Sequence, residues 1–141
     1  MIYIGTDIVE VGRIHNNLES NRIKFLNRIF TDQEIKYCNS KLNPAIHFAG
    51  RFAGKEAVKK ALLSSGLLSN VSMKEIEILP YENIPKVTMP NLPCSIKISI
   101  SHTDHVAIST AIIIDKSKTK RSSIQTRKNA EIIIINREIS I

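Results

Sequence analysis

The sequence of 141 residues contains no tryptophan, and aromatic side chains make up only 5% of it. This scarcity argues against a surface on which nucleic-acid bases stack, so nucleic acid is not expected as a partner. Apolar runs are short as well. None approaches the roughly 18 residues of a membrane-spanning helix, and no basic segment followed by a long apolar one opens the chain. These absences predict a protein of the cytoplasm, or of the stroma of an organelle, with no membrane partner.

Cysteine is equally scarce, since Cys38 and Cys94 are the only two. They match no short metal-ligand spacing such as C-x-x-C, which predicts two structural or incidental thiols. The length suits one domain with a modest core, and the apolar and charged fractions of 43% and 23% are ordinary for a globular protein.

The net charge of +7 is concentrated near the end of the chain. Residues 1–114 hold thirteen Lys/Arg and ten Asp/Glu, which gives +3, whereas residues 115–141 hold seven and three, which gives +4. The body is therefore only mildly basic, as expected for a protein that handles small anions or an acidic partner. We predict a domain over residues 1–114 and a basic, Ile-rich extension over residues 115–141 that is disordered or pairs as an edge strand.

Two carboxylates stand in otherwise apolar segments. Asp7 lies within IGTDIVEVGRI, and Glu56 lies within FAGRFAGKEAVKKAL. An acid in a buried segment requires a partner, because an uncompensated buried charge costs several kcal/mol or more. One interpretation is a shared Mg²⁺, which typically binds one or two carboxylates together with phosphate oxygens and water. The structural alternatives are that Asp7 caps a helix and that Glu56 pairs with Lys60 on an exposed helix face.

The predicted helix after Pro44 is the longest in the chain. One stripe along this helix contains Phe48, Phe52, Glu56 and Leu63, so Glu56 lies along the apolar face. Local pairing does not explain the lysines, since Lys55 and Lys59 are four residues apart and repel each other. The cations of this helix instead predict a surface that faces phosphate; they are Arg51, Lys55, Lys59 and Lys60.

Shorter elements surround this helix. Residues 2–6 read as a strand, and a capping box of Thr31 and Glu34 begins another helix. Strands are predicted at residues 75–79 and 86–89, and the alternation of Ile96, Ile98 and Ile100 with polar residues predicts a hairpin with residues 106–114. The fold class is α+β, a small antiparallel sheet packed with helices around one long central helix.

Four segments of the sequence match the pattern of a known family: IGTDIVEVGRI, F-x-x-R-I-F-T-x-x-E at Phe25 to Glu34, FAGRFAGKEAVKKAL, and I-S-I-S-H-T at Ile98 to Thr103. In these segments the chain resembles the holo-acyl-carrier-protein synthase family. Its members are the small trimeric 4′-phosphopantetheinyl transferases. Order and spacing agree over residues 1–114. The resemblance implies the fold of that family and transfer of the phosphopantetheine arm of coenzyme A to a serine of apo-acyl carrier protein. It also implies a role in fatty acid biosynthesis and release of adenosine 3′,5′-bisphosphate.

The resemblance also assigns roles to residues. Asp7 and Glu56 correspond to the ligands of a Mg²⁺ cofactor, Lys60 assists at the phosphates, and Glu56 is the preferred general base. Residues assigned to coenzyme A are Arg51, Lys60, Ser101, His102 and Thr103. In the family, the segment that carries Arg13 and Arg22 meets the acidic helix of the carrier protein. The alternative for each arginine is a solvated surface residue. The family forms a homotrimer with its sites between neighbouring subunits.

The chain departs from the family at two turns. The glycine-rich turn after K-A-L is Leu63 to Leu68 here, with one glycine, and the G-x-P turn is Asn83-Ile84-Pro85, without the glycine. Both departures put local loop geometry in question. Two other functions remain as alternatives: a Mg²⁺-dependent diphosphate hydrolase, and a nucleic-acid binder that acts through the basic tail.

Overall fold

The computed structural model describes residues 1–92 and 94–115. In chain order the elements are β1 (Ile2–Glu10), α1 (Val11–Ser20), α2 (Arg22–Ile29), α3 (Asp32–Asn39), α4 (Pro44–Ser65), a 3₁₀ turn (Met73–Glu75), β2 (Glu77–Tyr81), β3 (Ile84–Thr88), β4 (Ser95–His102) and β5 (Val106–Ile114). The α+β prediction is therefore confirmed. The predicted extension lies outside the described residues, apart from Asp115.

Two antiparallel sheets frame the long helix. β5 pairs with β1 on one side and with β4 on the other, which gives the strand order β1-β5-β4, while β2 and β3 form a separate hairpin. The predicted hairpin of residues 96–101 and 106–114 is confirmed as β4 and β5. Helix α4 packs across the three-stranded sheet, and fourteen of its 22 residues are buried. Within residues 1–92 and 94–115, no helix is both long and apolar enough to cross a membrane.

Gly5 allows β1 to pack directly against the backbone of α4. A Cβ atom at this position would lie 2.0 Å from the carbonyl oxygen of Ala57 and 2.7 Å from the amide nitrogen of Ala61. Any side chain larger than hydrogen would therefore force the strand away from the helix. The close packing fixes the height of β1 above α4, and with it the position of Asp7 two residues further on.

The boundaries near Asp7 differ from the prediction. β1 continues to Glu10 and α1 begins at Val11, so the interpretation of Asp7 as a helix cap is wrong. Pairing with β5, where Asp7 lies opposite Ser109, overrides the local capping preference. β2 begins two residues later than predicted because the Ser72–Glu75 capping box forms a 3₁₀ turn first. Helix α2 was not predicted.

Both turns that depart from the family pattern adopt left-handed backbone conformations. Gly66 ends α4 with φ of 69°, so the single glycine occupies the position that requires it. In the β2–β3 turn, Glu82 and Asn83 have φ of 48° and 65°. Asparagine tolerates this region better than most residues, and Asn83 therefore replaces the family's glycine there without breaking the hairpin.

The two faces of the three-stranded sheet differ. The inner face packs on α4 through alternate residues such as Val9, Ala107, Ala111 and Ile113, all buried. The outer face is exposed yet apolar, with Ile4 and Ile8 at 60% and 67% exposure. We call it the isoleucine face; its apolar members are Ile2, Ile4, Ile8, Ile108, Ile112 and Ile114.

Candidate active site

Asp7 lies on the inner face of β1 and meets Lys60 of α4. The Lys60 ammonium donates to Asp7 Oδ1 at 2.9 Å and to the carbonyl oxygen of Thr6 at 2.9 Å. The Asp7 side chain is only 16% exposed, whereas that of Lys60 is 52% exposed. Glu56 precedes Lys60 by one turn on the same side of α4, since residues four apart on a helix are neighbours. The structure thus brings Asp7, Lys60 and the segment carrying Glu56 to one edge of the contact between β1 and α4.

Glu56 also lines a cleft of about 540 Å³ between α1, α2 and α4. The charged residues around it are almost all basic: Arg13, Lys24, Arg28 and Lys59. Phe25 and Phe52 stack 6.5 Å apart between ring centroids and form an apolar part of the lining. The cleft is therefore suited to an acidic partner that also presents an apolar side chain.

A second cavity, of about 280 Å³, lies between α3, α4 and the start of the β4–β5 turn. Arg51 and His102 both line it, so the structure brings together two residues that the sequence assigned to one anionic ligand. Tyr37 covers the Arg51 guanidinium at 4.3 Å, and His47 lies between Tyr37 and His102, 6.1 Å from each ring. We call this cavity the histidine pocket.

Arg51 is 8% exposed, and its buried Nε has no hydrogen-bond partner. A buried charged donor without an acceptor is costly, which indicates a site for an anion. Burial lowers the pKa of His47, and the positive charges of Arg51, His102 and Lys41 lower it further.

Ser101 and Thr103 do not share this pocket. Ser101 points to the outer face of the sheet, beside Ser99 and Ile108, because neighbouring residues of a strand alternate between faces. The Thr103 hydroxyl accepts from the backbone amides of His105 and Val106, at 3.2 Å each, and so shapes the β4–β5 turn. Of the three residues in that motif, His102 alone lines the histidine pocket.

Lys55 is fully buried, so its expected place on a phosphate-facing surface is wrong. Its ammonium forms an ion pair with buried Glu34 and donates to the carbonyl oxygens of Ile29 and Met73. Burial lowers the pKa of Lys55, which the negative charge of Glu34 opposes. The lysine connects α4 with the end of α2 and the 3₁₀ turn, directly behind Glu56.

Glu56 itself is half-buried, not on the fully buried face. Of the predicted apolar stripe, Phe48 is fully buried while Leu63 is 43% exposed. Arg22 donates to Asn39 at 2.8 Å on the surface and is absent from the basic cleft, whereas Arg13 lines it. The sequence reasoning missed Lys24, Arg28, His47 and the Glu34 ion pair. The i, i+4 spacing of Lys24 and Arg28 was the available signal for a basic stripe.

The donor chemistry at Asp7 and Glu56 fits a magnesium ion. Two carboxylates supply hard oxygen ligands, and Mg²⁺ usually completes its shell with water and substrate phosphate. No cluster of three or more His, Cys, Asp or Glu that could hold a metal occurs within residues 1–92 and 94–115.

Residues 3–123 match the model of the 4′-phosphopantetheinyl transferase superfamily. Fold and site thus define a phosphopantetheinyl transferase, and this protein is an enzyme of that class. The holo-[acyl-carrier-protein] synthase of Chlamydia pneumoniae is 43% identical over 120 residues, which cover 81% of this chain and 98% of that protein. That of Chlorobaculum parvum is 42% identical over 113 residues, 78% of this chain and 96% of that protein. The chain belongs to the holo-[acyl-carrier-protein] synthase family.

Solved structures agree with this assignment. Helicobacter pylori holo-[acyl-carrier-protein] synthase in complex with coenzyme A matches with a TM-score of 0.69 and 33% identity, covering 79% of this chain and 99% of that one. The Bacillus anthracis synthase in complex with CoA (3′,5′-ADP) matches with a TM-score of 0.68 and 31% identity, covering 79% of this chain and 94% of that one. The resemblance seen in the sequence motifs is confirmed.

Proposed function

We propose that the protein transfers the 4′-phosphopantetheine arm of coenzyme A to a serine of apo-acyl carrier protein. The reaction releases adenosine 3′,5′-bisphosphate, depends on Mg²⁺ and serves fatty acid biosynthesis in the cytoplasm. The observation that carries the proposal is the meeting of Asp7 with Lys60, one helical turn from Glu56. We take residues 1–114 as the catalytic domain.

In this proposal Asp7 and Glu56 are the magnesium ligands. When bound, the ion neutralises charge on the diphosphate that links the arm to the nucleotide. Lys60 lies within 2.9 Å of Asp7 and is half exposed, so its ammonium is available to a phosphate oxygen at the same place. Glu56 has an open side toward the cleft and is the group that accepts the proton of the acceptor serine.

Coenzyme A would lie between neighbouring subunits of the trimer, with the Asp7 site supplied by one subunit and the histidine pocket by the other. Arg51 and His102 support the assignment because both line that pocket. Lys60 contributes from the catalytic end. Ser101 lies on the opposite face of β4 and Thr103 is engaged with its own turn. Ser101 could therefore contact coenzyme A only across a subunit boundary. Thr103 would contribute by shaping the turn that follows His102.

The carrier protein would dock on the basic cleft beside Glu56. Arg13 belongs to it, and Lys24, Arg28 and Lys59 extend its positive charge. The family resemblance implies a carrier protein that presents an acidic helix. Opposite charges on the cleft and on this helix would accelerate encounter and set the orientation of the carrier protein. Arg22, hydrogen-bonded to Asn39 outside the cleft, contributes only long-range attraction.

A homotrimer is supported by the isoleucine face. Contiguous exposed apolar patches of this kind mark interaction surfaces. Here Ile4, Ile8 and Ile108 are 60%, 67% and 47% exposed on one face of one sheet. Packing three copies through these faces would bury them and bring Ser101, on the same face, to a subunit boundary.

The test combines apo-carrier protein, coenzyme A and Mg²⁺ with mass spectrometry of the carrier. We expect the carrier to gain the mass of one phosphopantetheine arm. Asp7→Ala and Glu56→Ala should each lower the rate by about 100-fold or more, the scale of losing a group that stabilises transition-state charge. Glu19→Ala, an exposed acid on α1, is the matched control and should leave the rate unchanged.

Two outcomes would contradict the proposal. Near-normal rates in both folded variants would remove the metal assignment. Breakdown of coenzyme A without any acceptor, and no mass gain on a competent carrier, would instead indicate a diphosphate hydrolase.

A further inference from the structure

The histidine pocket holds more positive charge than the roles above require. Four basic groups converge on it: Arg51 and His47 from α4, His102 from β4, and Lys41 from the segment before α4, which lies 4.5 Å from the ring of Tyr37. None of the residues that line the pocket is acidic. His47 takes part in no function assigned so far.

His47 is held between the ring of Tyr37 and that of His102. Its ring makes edge contacts with both, with interplanar angles of 85° to Tyr37 and 65° to His102. It is half-buried on α4, one turn before Arg51. Both histidines therefore line the same cavity as Arg51, whose buried Nε has no hydrogen-bond partner.

We propose that His47 is an additional binding residue for a phosphate group of coenzyme A and that it takes up a proton when that group binds. This inference rests on the proposed function, because coenzyme A is the ligand. Without an anion, a protonated His47 and the Arg51 guanidinium repel each other across the pocket. A phosphate dianion offsets that repulsion and gives the His47 imidazolium an acceptor.

The direction of the pH effect follows from these charges. Burial and the surrounding cations hold the pKa of His47 below its ordinary value in the free protein, so near neutral pH the ring is uncharged. A bound phosphate raises that pKa, and the proton comes from solvent. Affinity for coenzyme A should therefore fall as pH rises through the raised pKa, by up to about tenfold per pH unit for each proton taken up.

The experiment is isothermal titration of the intact protein with coenzyme A at several pH values between 6 and 8.5. At pH 7 it is repeated in buffers of different ionisation enthalpy, which counts the protons taken up. We expect His47→Gln to weaken binding at low pH and to reduce proton uptake. The ligand's own titration is common to all variants and cancels in the comparison.

Two further variants separate this role from a structural one. His47→Lys keeps a positive charge at all these pH values, so it should bind well at pH 8 with a smaller pH slope. His15→Gln changes an exposed histidine on α1 outside the pocket and should behave as wild type. Thermal unfolding of each variant verifies that it is folded.

The inference is wrong if folded His47→Gln and His47→Lys keep the wild-type pH slope and proton uptake. Failure of the wild-type protein to bind coenzyme A would overturn the proposed function itself, and this inference with it. If the wild-type protein binds coenzyme A but the His47 variants show its pH slope and proton uptake unchanged, only this inference is overturned.

Discussion

Lys55 and Glu34 form an ion pair with both side chains completely buried. Glu34 also accepts from the backbone amides of Thr31 and Ile78, each at 2.8 Å. With the bonds from Lys55 to Ile29 and Met73, the pair joins α2, α3, β2 and the 3₁₀ turn to α4. Glu56 follows Lys55 in the chain, so this network also fixes the position of Glu56 on α4.

Removal of the Lys55 charge should destabilise the protein severely. Lys55→Met leaves Glu34 buried beside an apolar group, and breaking a buried pair in this way costs about 3–5 kcal/mol. Urea unfolding at fixed protein concentration measures the loss. Lys74→Met, the same substitution at an exposed position, should change stability by less than about 0.5 kcal/mol. A loss below about 1 kcal/mol for Lys55→Met would contradict the role given to the pair.

A methyl group at Gly5 should separate β1 from α4. The Cβ of Gly5→Ala would meet the backbone of Ala57 at 2.0 Å, and backbone cannot rotate away as a side chain can. We expect a loss of about 1–3 kcal/mol or more in thermal unfolding, with reduced transfer activity because Asp7 moves with the strand. Gly12→Ala is the control: nothing lies within 4 Å of a Cβ there, and the helix should gain about 0.5 kcal/mol. Equal stability of the two variants would refute the close contact.

The basic cleft and the Arg22 surface should respond differently to mutation. Arg28→Ala removes a charge that lines the cleft, so KM for the carrier protein should rise about tenfold, with weaker dependence on salt. Arg22→Ala, whose guanidinium bonds to Asn39, should raise KM less than threefold. Steady-state kinetics at two ionic strengths makes the comparison. A larger effect at Arg22 would place the carrier on the other side of α2.

The isoleucine face should control assembly. Ile4→Asp inserts a charge among exposed isoleucines, and we expect the molar mass to fall from three times 15.8 kDa to a single chain mass in light scattering. Ile23→Asp alters an exposed isoleucine on α2 and should leave assembly intact. A wild-type monomer, or a trimeric Ile4→Asp variant, would exclude this interface.

Cys38 should be unreactive in the folded protein. Burial raises its pKa to about 12, so only about one thiol in 10⁴ is ionised at pH 8, and the thiolate is the reactive form. In a Cys94→Ser variant, a colorimetric disulfide reagent should detect no fast thiol until urea is added. Rapid labelling of the folded variant would show that α3 opens far more often than its packing implies.

The elements with strong local signals could be predicted from the sequence. The Thr31–Glu34 capping box, the helix after Pro44 and the alternation that gives the β4–β5 hairpin all depend on residues near one another in the chain. Glu56 was also predicted on the correct helix, whereas Asp7 was predicted directly after the strand that contains it.

What the sequence did not disclose depends on contacts between distant residues. Lys55 was read as a surface cation because its partner Glu34 lies 21 positions earlier, across a helix and a loop. Asp7 was a plausible cap until pairing with β5 extended its strand. His47 carries no motif, and only the meeting of α3, α4 and β4 gives it neighbours.

Ser101 and His102 are consecutive residues that belong to different surfaces of one strand. His102 borders the histidine pocket, and Ser101 lies on the isoleucine face. In an assembly formed through the isoleucine face, the histidine pocket would therefore be separated from the neighbouring copy by the thickness of one strand.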